Sequence, residues 1–280
     1  AVCFGSYGVW NRLMGGYFGE FTQAWVRGLL LLAILVPVLA WRGWWRPIKK
    51  QDLGWFLGIA VAGGLNQAPY FYAFQHISVG TATVLFYAGL TVAGYLVGWR
   101  LFAEKIGVER MLALGLALVG VGLLFGFELQ PTQIIPGLAA LVAGVMGGVE
   151  VSLTKKISDT YHSLQILVVL FLVMVVGNGG LAMMVGETLN QVVWSGQLLA
   201  PWLALVAYAG ALLAAMWLVV VGFQRLEASL ASIVGLSEVV FAALFGWLVF
   251  SEGLGGWQLI GGVLVVLAAG LPTVAQLKRE

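Results

Sequence analysis

The sequence of 280 residues is 61% hydrophobic and only 9% charged, with a formal net charge of +2. A water-soluble domain carries about 25% charged residues, so a soluble globular protein is excluded and a polytopic membrane protein is expected. Cys3 is the only cysteine, so no internal disulfide can form, and Cys3, His76 and His162 make no metal-ligand spacing.

Apolar runs of about 20 residues, each able to cross roughly 30 Å of hydrocarbon as a helix, recur along the whole chain. The period-two alternation of a membrane β-barrel is absent. In chain order the runs predict ten spans, at about 1–16, 21–41, 53–75, 79–100, 108–127, 133–154, 163–185, 200–224, 228–250 and 256–276. RGWWRPIKKQD (42–52) breaks the pattern with charge and a proline, ELQPTQ (128–133) and GETLNQVVWSGQ (186–197) with polarity, and SEGLGG (251–256) with glycine. The first apolar run is short and starts without methionine, so a preceding stretch is expected to be missing, rather than a signal peptide to be present.

The first span carries Tyr7 and Asn11 and, near its outer end, Arg12, placed to snorkel to water. Arg27, in the second, is suited to gripping a substrate carboxylate bidentately or to pairing with an acid. In the third, GGLNQAPYFYAF (63–74), Pro69 removes the helix bond to the Leu65 carbonyl. Asn66 and Gln67 lie beside it at mid-depth, positioned to satisfy freed backbone groups or a substrate. Tyr87 sits centrally in the fourth span. The sixth ends near Glu150, a turn or so before Lys155 and within reach of a local contact with it. Tyr208 and Trp217 in the eighth span are further ring-bearing candidates. Gly94-x-x-x-Gly98 and Gly144-x-x-x-Gly148 suit close helix approach.

The ninth span, IVGLSEVVFAALFG (233–246), holds Glu238 near its middle. An ionised group at a helix centre costs roughly 2.5–3.5 kcal/mol, so Arg27 and Glu238 are expected to face a cavity or a partner. Glu238 is placed to carry a proton between the two sides or to pair with a substrate ammonium.

Basic residues other than Arg12 and Arg27 all flank the spans on one side if the N-terminus is cytoplasmic, and positive flanks stay inside. Both termini are therefore expected in the cytoplasm. The chain also repeats. YAFQHISVGTATVLFYAG (72–89) matches VGFQRLEASLASIVGLSE (221–238) through Phe74-Gln75 with Phe223-Gln224 and Ala82 with Ala231. Each copy runs to a glutamate, Glu104 or Glu252, and then to a glycine-rich apolar helix. FGSYGVWN (4–11) echoes AGVMGGVE (143–150), which makes Asn11 and Glu150 counterparts at the two mouths of one path. Residues 1–127 and 128–280 thus read as two five-helix copies, the second inverted because five is odd. Such repeats build transporters, with the substrate near the midplane between the halves. Tyr87 and Glu238 fall at corresponding depths.

The stretch GTATVLFYAGLTVAGYLVGWRLFAEKIGVERMLALGLALVGVGLL and its echo ASLASIVGLSEVVFAALFGWLVFSEGLGGWQLIGGVLVVLAAG resemble the EamA-type branch of the drug/metabolite transporter superfamily, over nearly the whole chain. The resemblance implies an all-α membrane protein of ten helices, a five-plus-five inverted repeat around a central cavity. Spans 1–4 and 6–9 line that cavity, with 5 and 10 peripheral. It implies a secondary transporter or exporter of small organic solutes. An amino acid or related amphipathic solute fits Arg27 for its carboxylate and Glu238 for its amine, and export is the expected direction. A proton-coupled exporter of organic cations is the other reading. The candidate site is Glu238, Tyr87, Arg27, Asn66, Tyr208, Tyr7, Asn11, Trp217 and Glu150. No cofactor, metal, nucleic-acid partner or enzymatic reaction is expected, since no nucleophile set, metal set or phosphate-binding loop is present. The expected setting is a bacterial inner membrane, as monomer or homodimer.

Overall fold

The computed structural model describes residues 1–102, 108–123, 129–187, 199–225, 228–253 and 255–277. Among these every regular element is helical. The α-helices are α1 (Val2–Gly5), α2 (Tyr7–Met14), α3 (Glu20–Trp41), α4 (Leu53–Leu65), α5 (Gln67–His76), α6 (Val79–Phe102), α7 (Val108–Leu123), α8 (Ile134–Ile157), α9 (Ser163–Val185), α10 (Leu199–Arg225), α11 (Ala228–Phe250) and α12 (Gly256–Leu277). Four stretches are long and apolar enough to cross a bilayer: Glu20–Trp41, Val79–Leu101, Pro131–Ile157 and Ser163–Val185. Shorter apolar stretches lie at Met111–Leu123, Pro201–Met216, Ser237–Phe250 and Gly256–Ala268.

Two stretches expected to be continuous are broken. The first breaks at Ser6, whose hydroxyl donates to the Cys3 carbonyl at 2.7 Å and accepts the Trp10 indole N–H at 2.9 Å. The second breaks at Asn66, between α4 and α5. Pro69 is then the third residue of α5, where a missing N–H costs little because first-turn donors have no helical acceptor. The Asn178 side chain donates to the Gly64 carbonyl at the same break, at 2.8 Å.

Packing depends on glycine. α6 crosses α8 so closely that a Cβ at Gly144 would stand 1.9 Å from the Phe86 carbonyl oxygen, and one at Gly148 2.5 Å from that of Leu90. Small residues allow such approach and the dispersion contacts it brings, which hold helices together where lipid removes the hydrophobic drive. Gly94 differs from the expectation for its motif: a Cβ there would meet nothing within 4 Å.

The helices pair in a regular way. α3 packs on α9, α4 and α5 on α8, α4 on α9, α1 on α11 and α2 on α10. α7 and α12 pack on each other and on α6, α12 also touching α11. Ala113, Ala117 and Ala268 form a small cluster of their own between them, apart from the main core.

Both ends are strapped. At the basic end, Gln165 accepts the Arg46 N–H at 3.0 Å and donates to the Arg46 carbonyl at 2.6 Å, while the Tyr161 hydroxyl donates to Asp52 at 2.7 Å. At the opposite end, the Glu187 carboxylate accepts the N–H groups of Phe21 at 3.3 Å and Thr22 at 2.7 Å. An anion at those first-turn donors both satisfies them and complements the helix dipole.

Candidate functional site

Most of the polar residues singled out in the sequence gather in the middle of the bundle, in two clusters joined by the first helices. One cluster surrounds Arg27 of α3, which is only 2% exposed. Its Nη1 donates to the Tyr208 hydroxyl of α10 at 2.5 Å and its Nη2 to Gln67 Oε1 of α5 at 2.6 Å. The guanidinium carbon stands 4.8 Å from the Tyr208 ring centre and 5.2 Å from that of Phe71. Arg27 is thus held by neutral acceptors and π faces. It makes no ion pair among the described residues, and it is buried rather than extended to water. Its Nε has no partner among them either.

The second cluster joins α6 to α11. The Tyr87 hydroxyl donates to Glu238 Oε2 at 2.6 Å. The sequence reading set these groups at matching depth across a cavity, and the structure brings them into direct contact instead. Phe86 stacks on Tyr70 at 4.4 Å between ring centres, and the Tyr70 hydroxyl donates to Thr83 at 3.4 Å.

α1 and α2 bridge the two clusters. A Cβ at Gly5 would lie 3.1 Å from the Glu238 backbone carbonyl, so α1 rests directly on α11 at that residue. Two residues on, the Tyr7 ring meets the Tyr208 ring edge to face at 4.7 Å. The Tyr7 hydroxyl is buried and, among the described residues, unpartnered. Buried polar atoms are nearly always hydrogen-bonded. Among the described residues, Tyr7 O–H and Arg27 Nε are buried donors without a partner.

The remaining candidates lie around this centre. The Asn66 side-chain oxygen accepts from Gln67 beside it, so Asn66 supports the Arg27 cluster through Gln67. Asn11 is fully buried, donates to Gln23 at 2.6 Å and accepts from Gln75 at 3.0 Å. Glu150 points at α4, where a Cβ at Gly63 would stand 2.5 Å from its carboxyl carbon. The side chains of Trp217, Phe223, Gln224 and Ala231, and all of Glu104, lie outside the described residues. Among the described residues no group of three His, Cys, Asp or Glu is placed to hold a metal.

Sequence reasoning missed the tie at the end opposite the basic loops. Arg12 does not reach for water. It pairs with Glu252 and donates to the carbonyls of Phe74 at 2.7 Å and Ile77 at 2.6 Å. Glu252 in turn accepts the Val79 N–H at 2.9 Å. One cation thereby joins the end of α2, the α5–α6 turn and the α11–α12 turn. The available signal was the opposite charge of two helix-end residues, which sequence separation obscured. Gln23, one partner of Asn11, was missed because a single glutamine in an apolar helix has no periodic signature, and Gln75, the other, was marked only as part of the repeat.

The family model described as the EamA-like transporter family matches residues 1–126 and 135–273. Two curated proteins, each described as an uncharacterized transporter, are similar over 179 residues: 27% identical in Helicobacter pylori strain J99 and 26% in strain 26695. Each alignment takes in 61% of this chain and 57% of the relative, so the match spans little more than half the relatives' length. A protein crystal structure superposes with a TM-score of 0.61 at 16% identity, over 99% of this chain and 95% of the other, a likeness of fold.

Proposed function

The chain belongs to the EamA-like transporter family; we propose that it is a membrane transporter, a secondary carrier exporting amino acids or related small amphipathic solutes by alternating access. The observation that carries this reading is the shared core of Arg27 and Glu238. A buried cation with a free Nε stands on one side, a carboxylate on the other, and a free phenol, Tyr7, lies on the helix between them. A zwitterion offers the complementary pair, and the rings of Tyr208, Phe71, Tyr70 and Phe86 offer an apolar wall for its side chain.

The ten-span, five-plus-five inverted arrangement is part of the same proposal, with halves 1–127 and 128–280. Helix pairing supports it. With α1–α2 as the first span and α4–α5 as the third, first on ninth mirrors sixth on fourth, and first on eighth mirrors sixth on third. Second on seventh and fifth on tenth map onto themselves. A pseudo-two-fold between the halves requires such a pattern. Alternating access then rocks one half on the other, and the Arg12–Glu252 tie closes the end opposite the basic loops. The distribution of basic loops supports that end facing outside and both termini lying in the cytoplasm of a bacterial inner membrane.

Counterflow in liposomes tests the reading. Preloaded unlabelled amino acid should drive transient accumulation of the labelled solute, and Arg27→Ala should abolish it. A proton-coupled exporter of organic cations is the second reading, favoured by the aromatic surroundings of Glu238 and by the internal bonding of both Arg27 Nη groups. Counterflow of organic cations that survives Arg27→Ala and is lost in Glu238→Gln would select it.

A further inference from the structure

α4 and α5 follow each other in the chain, but their polar ties run to different neighbours. α4 is held to α9: Asn178 Nδ2 donates to the Gly64 carbonyl at 2.8 Å, and a Cβ at Gly64 would lie 3.0 Å from the Met174 backbone nitrogen. Just ahead of α4, the Tyr161 hydroxyl accepts the Lys49 N–H at 3.0 Å and donates to Asp52. α5 is held to α2 instead. Gln75 Nε2 donates to the Asn11 side-chain oxygen at 3.0 Å, and Arg12 donates to the Phe74 and Ile77 carbonyls. Between the two helices the chain is interrupted at Asn66, and Pro69 offers no N–H to the Leu65 carbonyl. Bends concentrate at such interruptions.

α3 belongs with α9. Gln165 bonds Arg46 at one end of the pair, Glu187 bonds the Phe21 and Thr22 N–H groups at the other, and a Cβ at Gly28 would stand 2.9 Å from Val175 Cγ2 between them. Arg27 is therefore carried by the body of α3, α4 and α9. α5 also lies along α3 and α8, and its polar tie to Arg27 is Gln67, its first residue. Arg27 Nη2 donates to Gln67 Oε1 at 2.6 Å, and Gln67 Nε2 donates to the Asn66 side-chain oxygen. A guanidinium only donates, so the Gln67 oxygen must be the atom that faces it.

Gln67 thus fastens the first turn of α5 to the residue on which the proposed solute carboxylate docks. The second contact of Nη2 is Met174 Sδ at 3.7 Å, a weak acceptor, and Nε beside it has no partner among the described residues. A carboxylate that took the Nε–Nη2 edge would be a stronger acceptor than the amide, because both partners are charged.

Resting on the amino-acid reading above, we propose that Gln67 converts solute binding into movement: the solute carboxylate displaces the Gln67 amide from Arg27, and α5 swings on the break at Asn66 while α4 stays with α9. The first half then does not move as a block.

Spin-label distances in the purified chain, with Cys3 replaced by alanine, test this. The pair His76→Cys on α5 and Met183→Cys on α9 follows the swing, and the pair Leu57→Cys on α4 and Val176→Cys on α9 follows the fixed body; all four positions are exposed. A swing of about 20° carries the far end of this ten-residue helix, roughly 15 Å long, by about 5 Å. Gln67→Ala imitates the displaced amide. It should lengthen or broaden the first distance by about that amount and leave the second unchanged, whereas Gln67→Glu, which keeps an acceptor for Arg27, should hold both. An unchanged first distance in Gln67→Ala overturns the proposal, and so does an equal shift of both pairs. Should Gln67→Ala fail to fold, Gln67→Met, of similar length and without the amide, decides by the same two distances. In the chain with native Gln67, saturating leucine should reproduce the shift and leucinol, which lacks the carboxylate, should not. Leucinol acting as leucine does overturns the carboxylate as the trigger. No response to leucine beside a clear shift in Gln67→Ala would count against the amino-acid reading and leave the Gln67 latch standing.

Discussion

Tyr87 on α6 and Glu238 on α11 share one proton-bearing contact, 2.6 Å long, between two helices whose sequences echo each other. A phenol is a donor that does not compete for charge, so the carboxylate keeps its capacity to exchange a proton or accept an ammonium. Glu238→Gln keeps the size and an acceptor for Tyr87 but removes ionisation. Transport in proteoliposomes should lose its pH dependence while thermal stability changes little. Tyr87→Phe should lower flux and leave some pH response. An unaltered pH profile in Glu238→Gln would remove the carboxylate from the mechanism.

Arg27 is a matter of stability as well as binding. Arg27→Ala strands the Tyr208 hydroxyl and Gln67 Oε1 in a buried site. Each orphaned group costs about 1–3 kcal/mol, so the unfolding temperature in detergent should fall by several degrees. Arg27→Lys retains a charge but not the planar fork that reaches two acceptors, and it should fall between the two. Equal melting of all three would mean that the cluster contributes nothing to folding.

The Arg12–Glu252 tie predicts a change in access. In a background with Cys3 replaced by alanine, Val79→Cys places a buried thiol under the tie. Arg12→Ala should raise its rate of reaction with a membrane-impermeant maleimide by on the order of tenfold, and Glu252→Gln by less. Unchanged rates would show that the contact does not close this end.

Gly144 and Gly94 make a matched pair of controls. Gly144→Ala drives a methyl into the Phe86 carbonyl and should separate α6 from α8, lowering stability by about 1–3 kcal/mol. Gly94→Ala meets open space and should be neutral or stabilise by up to about 1 kcal/mol through helix propensity. Both are read by thermal unfolding in detergent.

Much of this was legible in the chain because the bilayer imposes simple rules. Span positions followed from hydropathy, and α3, α6, α8 and α9 coincide closely with the stretches expected. Tyr87 and Glu238 were set at corresponding depth in advance because matched sequence stretches convert offset into depth, but as groups facing across a cavity rather than bonded. The breaks at Ser6 and Asn66 were not legible, since each depends on side-chain bonds to a neighbouring turn or helix. Proline marked the right region of the third span, but the chain opens three residues earlier, where Asn178 of a distant helix donates to the Gly64 carbonyl. Arg27 was recognised as buried, yet its partners proved to be a phenol, an amide and two rings. Charge counting cannot find neutral partners. The Arg12–Glu252 contact needed three turns to converge at one end of the bundle, which local pattern does not encode.

The reliance of Arg27 on Tyr208 also bears on biogenesis. The two are 181 residues apart, and at ribosomal rates of about 5–20 residues per second the arginine is made on the order of ten to forty seconds before its phenol. Gln67, 40 residues on, arrives far sooner. During that interval α3 must sit beside a half-built neighbourhood, its guanidinium leaning on Gln67, water or the translocon wall. Synthesis of α10 then supplies the phenol that completes the arginine's surroundings, so a nascent chain truncated before it should be less stable than the full chain.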